Sequence, residues 1–184
     1  MPVWAIVLLI IVVIIVFYVM STYNGFVVAR NKVKDQFSQI DVQLKRRFDL
    51  IPNLVETVKG YAKHESETLE KVIQARNNYA SAKNEADKLQ ASKELSSGIA
   101  NIFALAASYP DLKANTNFVE LQNQLKDVEE KISYARQFYN DSVLMYNNKV
   151  EMFPSNLVAS IFGFKKEAFF EADEKERENV QVKF

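Results

Sequence analysis

The apolar residues of FVVARNKVKDQFSQIDVQLKRRFDLIP, running from Phe26 to Pro52, recur at intervals that suit only a helix. Val33, Phe37, Ile40, Leu44, Arg47 and Ile51 are spaced four, three, four, three and four apart. That alternation lays a single apolar stripe along a long helix. A stripe of this kind must be buried, so partner helices are required. Upstream of it lies Val3–Met20, VWAIVLLIIVVIIVFYVM, a run without a charge. As a helix it rises roughly 27 Å, close to the thickness of a bilayer core.

This run reads as an uncleaved membrane anchor spanning residues 1–22, with Val3, Leu8 and Leu9 on its apolar surface. Trp4, Phe17 and Tyr18 stand near its ends, where amphipathic rings prefer the interface. A cleaved signal peptide would need a basic stretch before the run and small residues after it. No Lys or Arg precedes the run, and YVMSTYN offers no Ala-x-Ala pattern. Arg30, Lys32 and Lys34 follow it, so the positive-inside rule places the amino terminus outside and the carboxyl side in the cytoplasm.

Few residues interrupt the helical pattern: the chain of 184 residues has four Gly and four Pro, and the prolines lie far apart. Pro52 is expected to end or kink the first helix. Leu54, Val58, Tyr61, Glu65, Leu69, Val72, Arg76 and Tyr79 then predict a second helix to about Lys83, with Gly60 tolerated inside it. A third, about Asp87 to Ala107, carries Leu95, Ile99, Ile102, Phe103 and Ala106, and is weakened locally by Ser96-Ser97-Gly98. Ser108–Asp111 is a break, with loop continuing through Asn115. Thr116 or Asn117 can cap the fourth helix, with Glu120 completing a capping box. Its seam is Phe118, Leu121, Leu125, Val128, Ile132, Ala135, Tyr139, Val143, Tyr146, Val150 and Phe153, closed by Pro154. The expected fold is all-α: the anchor helix continuing into a long, coiled-coil-like antiparallel four-helix bundle over residues 23–156. A short helix and charged tail over residues 157–184 follow.

Catalytic chemistry has little to stand on. There is no Cys, which removes thiol catalysis and Cys-ligated zinc. The one histidine, His64, has Tyr61 rather than Glu three residues before it, so the Glu-x-x-His pair of di-metal bundles is missing. No glycine-rich phosphate loop occurs. No enzyme activity and no cofactor are expected. Basic and acidic residues balance at 23 each, so net charge indicates no nucleic-acid partner.

Three sets of residues are candidates for interaction instead. Arg47, Glu65 and Arg76 fall on seam positions, where a charge must be paired or be costly. They form either a polar layer that fixes helix register or a set of side chains snorkelling at the seam's edge. The motif Tyr-Asn-x-x-Val occurs three times, at Tyr23-Asn24, Tyr139-Asn140 and Tyr146-Asn147, the last two one heptad apart. Its asparagines can hydrogen-bond to another helix, and if the fourth helix runs antiparallel to the first, the copies meet at the membrane exit. Leu157–Phe170 reads as the cap on the open end of the bundle or as an interfacial helix. At the end of the chain Val180, Val182 and Phe184 alternate in VQVKF. They suit strand addition to a partner or a frayed terminus.

The sequence resembles the LemA family over nearly its whole length. The resemblance rests on YNGFVVARNKVKDQFSQIDVQLKRRFDLIPNLVETVKGYAKHE from Tyr23, YPDLKANTNFVELQNQL from Tyr109, and EEKISYARQFYNDSVLMYNNKVEMFPSNLVASIFGFKKEAFFE. Phe37, Phe48 and Asn179 depart from the family pattern. The resemblance implies a single-pass protein of the bacterial cell (inner) membrane built as a helical bundle, and it implies no activity. It also implies kinship with a magnetosome protein that shapes an internal membrane, and an association with HtpX-type membrane proteases. The reading favoured is a non-enzymatic scaffold that self-associates at the membrane lipid as a homo-oligomer. The alternative is an adaptor or regulator of such a protease.

Overall fold

The structure, a computed structural model, describes residues 2–83 and 85–170. Glu171–Glu178 and the VQVKF end, with Val180, Val182 and Phe184, lie outside the described residues. Those described form helices and connecting segments, with no strand among them. The elements are α1 (Val3–Lys59), α2 (Ser66–Ser81), α3 (Glu85–Ala106), α4 (Pro110–Lys113), α5 (Thr116–Glu151) and α6 (Ser155–Phe162).

Helix α1 is a single helix of 57 residues that runs through both Gly25 and Pro52. Of the two outcomes expected at Pro52, an end or a kink, the helix does not take the first: it continues to Lys59. The proline removes one backbone hydrogen bond at a cost of about 3 kcal/mol. Ile51, Leu54, Val55 and Val58 around it are all buried, each stabilising by roughly 1.5–3 kcal/mol. Burial outweighs the defect, and the helix continues. It stops instead at Gly60, where the amides of Tyr61 and Ala62 both turn back to the Val58 carbonyl. The predicted second helix is thus divided. Its first turns belong to α1, a turn spans residues 60–65, and α2 begins at Ser66.

The chain forms two compact units, Met1–Gln39 with Tyr134–Phe184, and Ile40–Ser133. The core of the second is the heptad pattern made solid. Ile51, Leu54 and Val58 of α1, Leu69 and Val72 of α2, Leu95, Ile99 and Ile102 of α3, and Phe118, Leu121 and Leu125 of α5 bury together. Leu112 of α4 is also buried there, so the expected loop after Pro110 contains one helical turn. Helix α5 is capped not by Thr116 or Asn117 but by Asn115, whose side-chain oxygen accepts the Phe118 amide at 2.9 Å. In the first unit, Phe26 and Val33 of α1 pack with Val143 and Tyr146 of α5, and with Val158, Ala159 and Phe164 in and just after α6. The contact pairs descend α5 as they climb α1: Phe26 meets Tyr146, and Phe37 meets Tyr139. The last residue of the expected α5 seam, Phe153, is exposed rather than buried.

At Gly98, α3 approaches α2 closely. A Cβ there would lie 2.8 Å from Val72 Cγ2 and 3.6 Å from Val72 Cα. The residue that looked like a weak point in α3 is therefore a site of helix contact. Gly98→Val is expected to lower stability by about 1–3 kcal/mol through overpacking, and by less in a Val72→Ala chain. Urea denaturation midpoints check this, and an unchanged midpoint for the single variant would contradict the close approach.

Candidate functional site

Two arrangements of polar side chains stand out, one in each unit. In the second unit Arg47, a seam residue of α1, is fully buried, with 0% of its surface exposed. Its guanidinium is enclosed by α3 and α5. One terminal nitrogen donates to Ser96 Oγ at 2.6 Å and Glu129 Oε1 at 2.7 Å. The other donates to Ser92 Oγ at 2.5 Å and to the Ser92 carbonyl at 3.0 Å. The planar fork of arginine suits this arrangement, since both arms reach α3 and one also reaches α5. Nε has no partner.

Glu65 and Arg76, the other seam charges, are not brought to Arg47. Glu65 accepts the Tyr109 hydroxyl at 3.2 Å, and Arg76 stacks on the Phe48 ring at 4.1 Å. Tyr79 is buried against the same ring. Burial, reinforced by the charge of Asp41, pushes its hydroxyl up to about 12, so it stays neutral at cellular pH. The rest of the basic cluster is paired locally, Lys45 with Asp49 at 2.5 Å and Arg46 with Asp127 at 3.6 Å. Asp127 also binds Lys131 at 2.9 Å, and that hydrogen bond holds its carboxyl below the usual range. Serines 92 and 96 carried no signal of this role in the sequence, because a serine inside a helix is ordinary; only the buried arginine opposite them gives them one.

In the first unit the asparagines of the repeated motif do a different job from bridging helices. After α6 the chain reverses at Gly163, in the left-handed region at φ 72°, and the Phe164 amide returns to the Ala159 carbonyl. Residues 164–170 then run back along α5. Asn147 accepts the Glu167 amide at 2.9 Å and donates to the Glu167 carbonyl at 2.9 Å. Asn140 makes the same pair with Phe170, at 2.7 and 2.9 Å. Each carboxamide thus offers the donor and acceptor that a neighbouring strand would. The spacing explains why two asparagines one heptad apart suffice: seven helical residues rise about 10.5 Å and three extended residues about 10 Å. Tyr139 adds a hydrogen bond from its hydroxyl to the Ala168 carbonyl at 3.1 Å. Arg136 lies over the Phe170 ring at 4.5 Å.

The tyrosines of the motif pack where the helices meet. Tyr146 touches Phe26 edge-on, and Tyr23 touches Phe162 and Phe164, with ring centroids 4.9 and 5.6 Å apart. Asn24 points to solvent. The candidate anchor residues Val3, Trp4, Leu8, Leu9, Phe17 and Tyr18 are all exposed on α1, the one helix among the described residues that is long and apolar enough to cross a membrane. A second exposed face was not anticipated. Tyr134, Phe138 and Met145 of α5, with Met152 just beyond it, are spaced four, seven and seven apart and are all exposed. The signal was present as a second period-seven stripe beside the main seam, but the stronger seam drew the reading. Among the described residues no group of three or more His, Asp or Glu could hold a metal ion, and His64 sits in the exposed turn before α2.

Arg47 and Glu129 are expected to behave as a coupled pair. Glu129→Leu strands a fully buried cation, at a cost on the order of 3 kcal/mol, and Arg47→Met costs less, because Glu129 is 38% exposed and keeps contact with water. The double variant is expected to recover most of that loss. Denaturation of the four chains of this cycle checks it, and additive losses would contradict the pairing.

Residues 36–184 match the profile of the LemA family. Protein LemA of Metamycoplasma hominis is 28% identical over 170 residues, which covers 90% of this chain and 76% of that protein. Magnetosome protein MamQ of Magnetospirillum gryphiswaldense is 24% identical over 178 residues, covering 83% of this chain. Magnetosome protein MamQ 2 of Paramagnetospirillum magneticum is 22% identical over 179 residues, again covering 83%. The chain spans slightly less than two thirds of the length of these two magnetosome proteins, 65% and 66%.

Proposed function

Since the chain belongs to the LemA family, we propose that it is a non-enzymatic helical scaffold that self-associates at the bacterial cell membrane. In this reading residues 3–20 anchor it, and the basic residues Arg30, Lys32 and Lys34 hold the folded part on the cytoplasmic side. The same reading takes α1, α2, α3 and α5 as an antiparallel four-helix bundle with coiled-coil-like seams. Neither LemA nor MamQ is an enzyme name, and two relatives are named for the magnetosome. Those names favour a role in membrane organisation or envelope homeostasis.

The observation that carries the proposal is the exposed stripe of Tyr134, Phe138, Met145 and Met152. Heptad spacing is the spacing that a second helix covers, and an identical α5 from another copy supplies one. Confinement by the anchor raises the effective concentration of copies, so a modest contact is enough. The membrane-protease adaptor reading predicts a monomer or dimer and a partner-binding face, and the oligomeric state separates the two.

The full chain extracted in mild detergent is expected to give a uniform assembly larger than a dimer by light scattering, corrected for detergent. Phe138→Glu with Met145→Lys is expected to reduce it to a monomer with unchanged helicity, because both side chains are exposed. A monomeric or dimeric natural chain would overturn the scaffold, and capture of an HtpX-type protease would then be sought.

A further inference from the structure

Helix α6 is two-faced, and its outer face is exposed among the described residues. Val158 and Ala159 are buried against the first unit's core. On the other side Leu157 and Ile161 are exposed, Ile161 at 74%, and Phe153 continues the same four-residue spacing at 78%. Met152 and Phe162 widen the patch. An apolar surface of this kind on a short helix calls for an occupant.

Its position identifies one. Phe162 is in edge contact with Tyr23, with ring centroids 4.9 Å apart. Tyr23 follows Met20, the last residue of the apolar run, by three residues, or about 4.5 Å of helix. The carboxyl end of α6 is therefore held within one helical turn of the end of the run. Cationic side chains gather at the same level. Lys149 Nζ lies beside Gly25, 2.7 Å from where a Cβ would stand, and the Arg30 guanidinium lies over the Phe164 ring at 5.4 Å. Lys165, just past the Gly163 reversal, is exposed. The asparagine contacts to Glu167 and Phe170 fix the chain that leaves α6, so the face has a set direction.

From this juxtaposition we propose that α6, with Phe153, Leu157 and Ile161, is an interfacial helix seated in the surface of the lipid bilayer beside the anchor. This rests on reading residues 3–20 as the anchor. The apolar side chains enter the boundary between headgroups and acyl chains, and Lys149, Arg30 and Lys165 meet anionic headgroups. A second contact stops the folded part from swinging about α1, and presents α5 at a constant height above the bilayer.

The test uses the full chain in vesicles of phosphatidylcholine and phosphatidylglycerol, with part of the phosphatidylcholine brominated near the headgroup end of its acyl chains. Trp4, the single tryptophan, reports on the anchor in the natural sequence. Ile161→Trp in a Trp4→Phe chain reports on α6, and Asn123→Trp in the same background gives the solvent reference from an exposed residue of α5. The expected result is blue-shifted, bromine-quenched emission from position 161, at least several-fold more quenched than position 123. Quenching at Trp4 but not at position 161 overturns the α6 proposal and leaves the anchor standing. Blue-shifted emission at position 161 without quenching also overturns it, because protein then covers the patch. Loss of quenching at Trp4 itself overturns the anchor and this proposal with it.

Discussion

The backbone ladder of α1 is the constraint on which the other features depend. It runs from the apolar stretch into the packed part of the chain without a break. A helix so long survives because its stripe is buried along most of its length, at Phe26, Val33, Ile40, Leu44, Arg47, Ile51, Leu54 and Val58. Within a folded protein, most of a helix's stability comes from such packing rather than from propensity. Two sequence features that weaken helices, Gly25 and Pro52, are absorbed for this reason. The helix ends at Lys59, before Gly60 and the exposed Tyr61.

Polar groups then give the apolar packing a definite register. A seam of leucines and isoleucines tolerates sliding by a heptad; a buried guanidinium does not. Arg47 is satisfied only with Ser92, Ser96 and Glu129 around it. The asparagine pair works by the same logic in the first unit. Asn140 and Asn147 hold residues 170 and 167 together, because seven residues of helix and three of extended chain rise by about the same amount. The cost of misplacing either arrangement is an unsatisfied buried polar group, about 1–3 kcal/mol each and more for the charge.

Much of this was legible in the residues. The four-three spacing identified the buried positions of α1, α3 and α5, and the uncharged run marked the apolar end of α1. Periodicity failed where a local signal competed with tertiary packing. Pro52 signals an end or a kink, and the neighbouring burial that lets the helix continue cannot be seen in a single segment. Asn115 was passed over as a cap because Thr116 and Asn117 fit the same pattern one and two residues later. The Tyr-Asn repeat announced a contact but not its partner, since a carboxamide serves a helix and an extended chain equally well. Arg47 stood out as a seam charge, whereas its serines did not, and Glu65 and Arg76 shared its pattern without its surroundings. The exposed stripe of α5 was hidden beside a stronger one.

Helix α1 continues from the apolar run into the folded part without interruption. Hydrogen exchange by mass spectrometry on the full chain in lipid nanodiscs tests it most directly, over residues 21–30. These residues lie outside the apolar run, so their amides gain protection only from the helix itself and its packing. The account predicts slow exchange across Ser21, Gly25 and Arg30, continuous with the residues on either side. Fast exchange confined to this segment would reveal a hinge at the membrane exit and contradict it.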